Sequence, residues 1–178
     1  MIAISYPFVI SLITLAWVLT RMLVRKKTGL FSPKREAELI LVYICLVVVA
    51  RFTFFPFSRV GGRVQPLVFD WVQMWNFRIN LLPFVYITDY EALWEMKVNI
   101  IGNTAMFIPI GIIWPTVYRK LNTHKKVIAA GVGFSLAIEI LQLPFYDRVT
   151  DIDDLILNSL GFLLGYGIFL LVKKLRKK

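Results

Sequence analysis

Residues 139–158 carry most of the chemistry this chain could do. Glu139 and Gln142 stand three apart, so they share one face of a helix. After Arg148, the residues Asp151, Asp154 and Asn158 recur at helical spacing. Upstream, Asn99 and Asn103 are four apart and also share a face. Carboxylates accept hydrogen bonds, amides both donate and accept, and guanidinium groups donate in a bidentate fork. Such a set fits a polar headgroup, a sugar or a peptide. Glu139 is the general-base candidate, because a carboxylate buried in an apolar helix is suited to proton transfer. It would serve an intramembrane enzyme acting on a lipid or lipid-linked substrate. Asp151 and Asp154 are a weak candidate pair for a divalent cation, and a D-x-x-D spacing alone specifies no metal site. His124 is the sole histidine, in the basic stretch RKLNTHKK, and reads as a solvated loop residue. Cys45 is the sole cysteine, inside an apolar run. Neither supports a histidine metal site, a Ser-His-Asp triad or an internal disulfide.

These residues must be held by a membrane bundle. Of 178 residues, 58% are hydrophobic and the mean hydropathy is +0.68. Soluble domains average roughly 45–50% apolar. The excess lies in five runs, near 3–24, 37–57, 98–118, 127–145 and 153–172, each about long enough to cross a bilayer. The expected fold is all-α: a single-domain polytopic membrane helix bundle over 1–178 with five transmembrane helices. RKK at 25–27 follows the first run and no basic residue precedes it, the reverse of a secretory signal, so it reads as a retained span.

Charge gives the orientation. Arg21 to Arg35, Arg119 to Lys126, and the tail from Lys173 hold 15 of the 21 basic residues. Five spans put all three clusters on one side, which the positive-inside rule makes cytoplasmic. The N-terminus is then outside and the C-terminus inside. The net charge of +10 is explained by this anchoring and does not call for nucleic acid. Most acids fall on the other side, a bias that insertion does not require.

The long outer loop, 58–97, is expected to hold short interfacial helices. Leu67, Trp71, Met74 and Trp75 have helical spacing, and Trp favours the headgroup level. Thr88 and Glu91 fit a capping box that opens a helix running into the third span. Arg51 lies in the outer half of the second span, and Arg78 and Asn80 lie in the loop. At one depth, Arg51, Arg78 and Arg148 can face Glu139, Asp151 and Asp154. Such a network either ties helices together or forms an outward-open polar pocket. Polar residues confined to one side, with no inverted repeat, argue against a carrier.

The series RINLLPF, N-x3-N-x3-F-x-P-x-G (99–111), E-x2-Q (139–142) and R-x2-D-x-D-D-x3-N-x2-G-x3-G (148–165) resembles the VanZ-like family of bacterial membrane proteins. The resemblance covers about the last hundred residues. It implies a multi-pass bacterial plasma-membrane protein. It also implies a role at the cell envelope that lowers susceptibility to lipoglycopeptides such as teicoplanin, with no settled reaction. Matched to those motifs, the site would comprise Asn80, Asn99, Asn103, Glu139, Gln142, Arg148, Asp151, Asp154 and Asn158. The partners this implies are membrane lipid and an amphipathic glycopeptide or lipid-linked envelope precursor. No cofactor or oligomeric state is indicated.

Overall fold

A computed structural model describes residues 1–29, 31–55, 59–72, 78–83 and 93–176. In chain order the elements are β1 (Ile2–Ile4), α1 (Tyr6–Thr28), α2 (Pro33–Phe54), β2 (Arg59–Val60), β3 (Arg63–Val64), β4 (Leu67–Phe69), β5 (Ile79–Asn80), α3 (Leu93–Val117), α4 (His124–Gln142), β6 (Thr150–Asp151) and α5 (Ile152–Leu175). They fall into two compact units. One is Met1–Trp75 with Pro144–Asp147; the other is Asn76–Leu143 with Arg148–Lys178.

In the first unit, both helices start where their sequence offers a cap. Ser5 and Ser32 accept from the amides of Phe8 and Arg35, and each is followed by a proline in the first turn. Gly29 ends α1 in the left-handed conformation, φ 64°. The two helices are tied by Thr14 to Tyr43 at 2.7 Å and by a two-pronged ion pair from Arg21 to Glu36. One face of α2 is buried, through Leu39, Val42, Cys45, Val49, Ala50 and Thr53, while α1 has no buried residue.

Strands, not interfacial helices, fill the described part of the loop. β2 and β3 form a hairpin whose turn, Gly61-Gly62, has positive φ at both positions, as a tight two-residue turn requires. β4 pairs antiparallel with β1, Ala3 opposite Val68. The expected helix over 66–77 is therefore absent at Leu67–Phe69, and Trp71 lies in a turn. Three consecutive apolar residues gain more from a strand partner and a buried Leu67 than from one isolated helical turn. Met74, Trp75, Thr88 and Glu91 lie outside the described residues. β1 also moves the start of the first helix from residue 3 to Tyr6.

The second unit is built on α3, α4 and α5. α3 and α5 run parallel, and α4 runs antiparallel to α5. α3 stays helical through Pro109 and Pro115. α4 is capped by Thr123 and stops at Gln142, short of the expected 145, because Pro144 cannot donate to the helix ladder. Glycines set the α3–α5 distance. A Cβ on Gly161 would sit 2.0 Å from the Thr104 carbonyl oxygen. One on Gly165 would sit 2.0 Å from that of Ile108, and one on Gly111 2.1 Å from that of Phe162. The backbones touch, as small-xxx-small pairs allow in membranes. Gly131 gives way to the ring of Phe162, whereas Gly133 faces open space.

Among the described residues, four helices are long and apolar enough to cross a membrane: Tyr6–Thr28, Pro33–Phe54, Met96–Val117 and Ile152–Leu175. The 19 residues of α4 reach about 28 Å at 1.5 Å each, but they include Lys125, Lys126 and Glu139.

Candidate functional site

The site stands at one end of the second unit, where α5 begins. Its first member is made by the chain turning from β6 into α5. Asp151 is the N-cap of α5, and its Oδ1 accepts from the Asp153 amide at 2.9 Å. The same oxygen accepts from Asn80 Nδ2 at 3.1 Å. Asn80 is placed by the parallel pairing of β5 with β6, in which it faces Asp151. The bond from the Thr150 amide to the Arg78 carbonyl, 3.0 Å, completes that pair.

Glu139 enters from the last turn of α4. It is only 2% exposed. Its Oε2 accepts from the Asp151 amide at 3.1 Å, and its carbonyl accepts from Thr150 Oγ1 at 2.8 Å. α3 supplies Asn103, which donates to both Asn99 Oδ1 and Asp154 Oδ1. Arg148 is half-buried, and its guanidinium attracts the Asp154 carboxylate through space. Glu139 feels the charges of both Asp154 and Asp151, and Asp154 feels Asp151, so three carboxylates crowd one region.

Around this network the interior stays polar. Gln142 and Asn158 are 4% and 1% exposed, and Ser135 is fully buried. Asn158 Oδ1 and Ser135 Oγ have no hydrogen-bond partner among the described residues. Gly131 packs on Phe162, and Glu139 meets Asp151, so the antiparallel register sets Ser135 level with Asn158.

The structure thus gathers two hydrogen-bonded groups, Asn80 with Asp151 and Glu139, and Asn99 with Asn103 and Asp154, which are coupled through the charges of their carboxyl groups, with Arg148 acting on Asp154 and Gln142 and Asn158 buried on the same helices. Arg78 is exposed and enters through its backbone. Arg51 belongs to the first unit, where it donates to the Phe55 carbonyl at 3.2 Å and lies over the rings of Tyr6 and Phe52. Sequence reasoning missed Thr150, which braces the end of α4. Its only signal is its place just before an N-cap aspartate. Among the described residues, no three His, Cys, Asp or Glu side chains are grouped to hold a metal ion. Oxygens of Asp151 and Asp154 are already engaged by amide donors.

This geometry can be set beside known proteins. Residues 40–173, which include every one of these side chains, match the VanZ/LLP1 family. The chain belongs to the VanZ/LLP1 family. It is a membrane protein, by its family and its apolar helices. Over 96 residues it is 30% identical to Protein VanZ of Enterococcus faecium. That stretch is 54% of this chain and 55% of the relative, so the match spans about half of each. No solved structure matches the chain.

Proposed function

We propose that this VanZ/LLP1 member crosses the membrane five times, with its N-terminus outside, and holds the polar face of an amphipathic envelope molecule at the outer end of its second unit. Three features support the topology. α3, α4 and α5 alternate in direction, α4 nearly matches the roughly 30 Å hydrocarbon core, and a count of five spans is the one that would put the basic clusters of the sequence on the same side. The ligand class is a lipid-tailed glycopeptide such as teicoplanin, or a lipid-linked precursor, and the outcome is lowered susceptibility to the drug.

The crowding of Glu139, Asp151 and Asp154 carries the binding reading. Carboxyl oxygens accept, and their neighbours Asn99 and Asn158 add further acceptor oxygens. An acceptor-rich end of a helix unit suits a donor-rich partner, such as sugar hydroxyls or an amine, while acyl chains stay in lipid. Holding such a molecule at the surface reduces its useful partitioning without any covalent step. Ser135, one turn inward from Glu139, is fully buried.

A second reading has its own observation. Three bonds of the cluster join different elements: β5 to β6, α4 to β6, α3 to α5. The cluster then acts as a clamp. Asp154→Asn separates the two readings, because an amide oxygen still accepts from Asn103 but the charge is gone. Thermal unfolding of the protein in lipid nanodiscs should rise with added teicoplanin. In Asp154→Asn the rise should vanish while unliganded melting stays close to wild type. No rise with the wild-type protein rules out binding. A large drop in unliganded melting, with the ligand shift intact, assigns the cluster to clamping alone.

A further inference from the structure

The opposite end of the second unit holds a cavity of about 320 Å³ that the outer site does not use. It lies where α3 ends, α4 begins and α5 finishes. Two kinds of wall meet there. Leu121, Phe169 and Leu170 are apolar, while Arg119 and Lys173 bring positive charge. Tyr166, buried on α5, bonds His124 Nδ1 at 2.9 Å, so His124 is the first residue of α4, tied to α5, and not the loop residue its basic surroundings suggest. Lys173 Nζ stands 5.8 Å above the Phe169 ring, which directs its ammonium along the cavity wall.

Charge is unbalanced at this end. Lys120, Lys125, Lys126, Lys174 and Arg176 lie within a few residues in sequence of the cavity lining, and α4 has no acid in its first turn. In this unit the acids whose side chains are described, Glu139, Asp151, Asp153 and Asp154, all stand at the far end of α5 or the facing end of α4. The first turn of α4 adds the positive end of its own dipole. An anion entering here meets no acid. A purely soluble anion would have no use for the apolar wall, and an uncharged lipid would have none for Arg119 and Lys173. The volume is at the small end of the roughly 300–1,000 Å³ usual for ligand sites, enough for a headgroup but not for acyl chains. Basic pockets between membrane helices are suited to anionic headgroups.

We propose that this cavity is a headgroup site for an anionic diacyl phospholipid, with Arg119 and Lys173 holding the phosphate and the Phe169–Leu170 wall receiving the start of the acyl chains. The assignment needs no particular orientation. With the C-terminus inside, the site faces the inner leaflet.

The test uses the full chain in detergent, titrated with phosphatidylglycerol, phosphatidylcholine or soluble glycerophosphate, with bound lipid counted by native mass spectrometry. Phosphatidylglycerol should bind in preference to both others. Arg119→Ala with Lys173→Ala should weaken it about thirtyfold, the weight of two basic side chains at a charged surface. Arg119→Lys with Lys173→Arg should restore it. Arg119 and Lys173 are exposed, so the double alanine variant keeps the fold, and its melting temperature checks this directly. Equal retention of phosphatidylcholine, equal binding of glycerophosphate, or an unchanged double variant each overturns the proposal. A teicoplanin-dependent melting shift in the double variant reports on the outer site separately, so either site can fail without the other.

Discussion

Gly165→Ala adds one methyl group where there is no room for it. The new Cβ would lie 2.0 Å from the Ile108 carbonyl oxygen, 2.9 Å from its carbon and 3.1 Å from the Gly111 Cα. All three are backbone atoms, so no side chain can swing aside. To restore ordinary contact near 3.4 Å, α3 and α5 must part by about 1.4 Å. Overpacking of this kind costs about 1–3 kcal/mol, and a backbone-on-backbone clash belongs at the upper end. Alanine returns about 1 kcal/mol through its helix propensity. The net loss is about 2 kcal/mol, or about 4–8 °C in melting temperature for a chain of this size. The assay is thermal unfolding of purified protein in one detergent, with Gly167→Ala as the internal control. Gly167 is on the same helix and has nothing within 4 Å of its would-be Cβ. It should be neutral or melt slightly higher. If Gly165→Ala melts at or above wild type, as Gly167→Ala should, α3 and α5 are not in backbone contact and the register that builds the site is wrong.

Two further outcomes follow from the same geometry. Asp151→Ala removes the N-cap of α5 and the acceptor for Asn80, so it should cost about 2 kcal/mol in the same melts, while Asp151→Asn recovers most of it because an amide still caps; equal losses in both variants would contradict the capping role. For topology, a Cys45→Ser background carrying Arg63→Cys should react with a membrane-impermeant maleimide on intact cells, and one carrying Lys120→Cys only after permeabilisation; the reverse pattern inverts the orientation.

Much of the helical frame could be read from the letters, since length and apolar content select the runs and serine, threonine or aspartate caps mark where helices open. Ends were harder. α1 begins at Tyr6 because Ile2–Ile4 is taken by β4, more than sixty residues away in sequence. A three-residue apolar run gives no periodicity to separate strand from helix. The helical spacing that begins at Leu67 misled over Leu67–Phe69 for that reason. The polar residues of the site could also be picked out, because charge and amides inside apolar runs are costly and therefore conspicuous. Their pairing could not. Whether Asn103 meets Asp154 depends on the α3–α5 register, and that register is set by Gly111, Gly161 and Gly165 against carbonyls on the other helix. In sequence, Gly161 and Gly165 only continue a stripe from Asn158. Likewise Asn80 reaches Asp151 through a parallel pair of two residues, too short to leave any pattern.

The glycines and the carboxylates belong to one construction. The Thr104–Gly161 contact lies next in sequence to Asn103, on the same stretch of α3. Close backbones are what allow a short asparagine to span to a short aspartate without a bridging residue. That closeness has a structural purpose of its own, and the helices would keep it if Asp154 and Glu139 were apolar. Replacing buried ionic groups by well-packed apolar ones is often neutral or stabilising. Three carboxyl groups crowded at one end repel when more than one is ionised, which works against folding, while the glycine packing works for it. The proposed binding role accounts for this opposition: the packing is strong enough to hold an acceptor-rich cluster that destabilises itself, and a donor-rich ligand relieves the repulsion when it arrives.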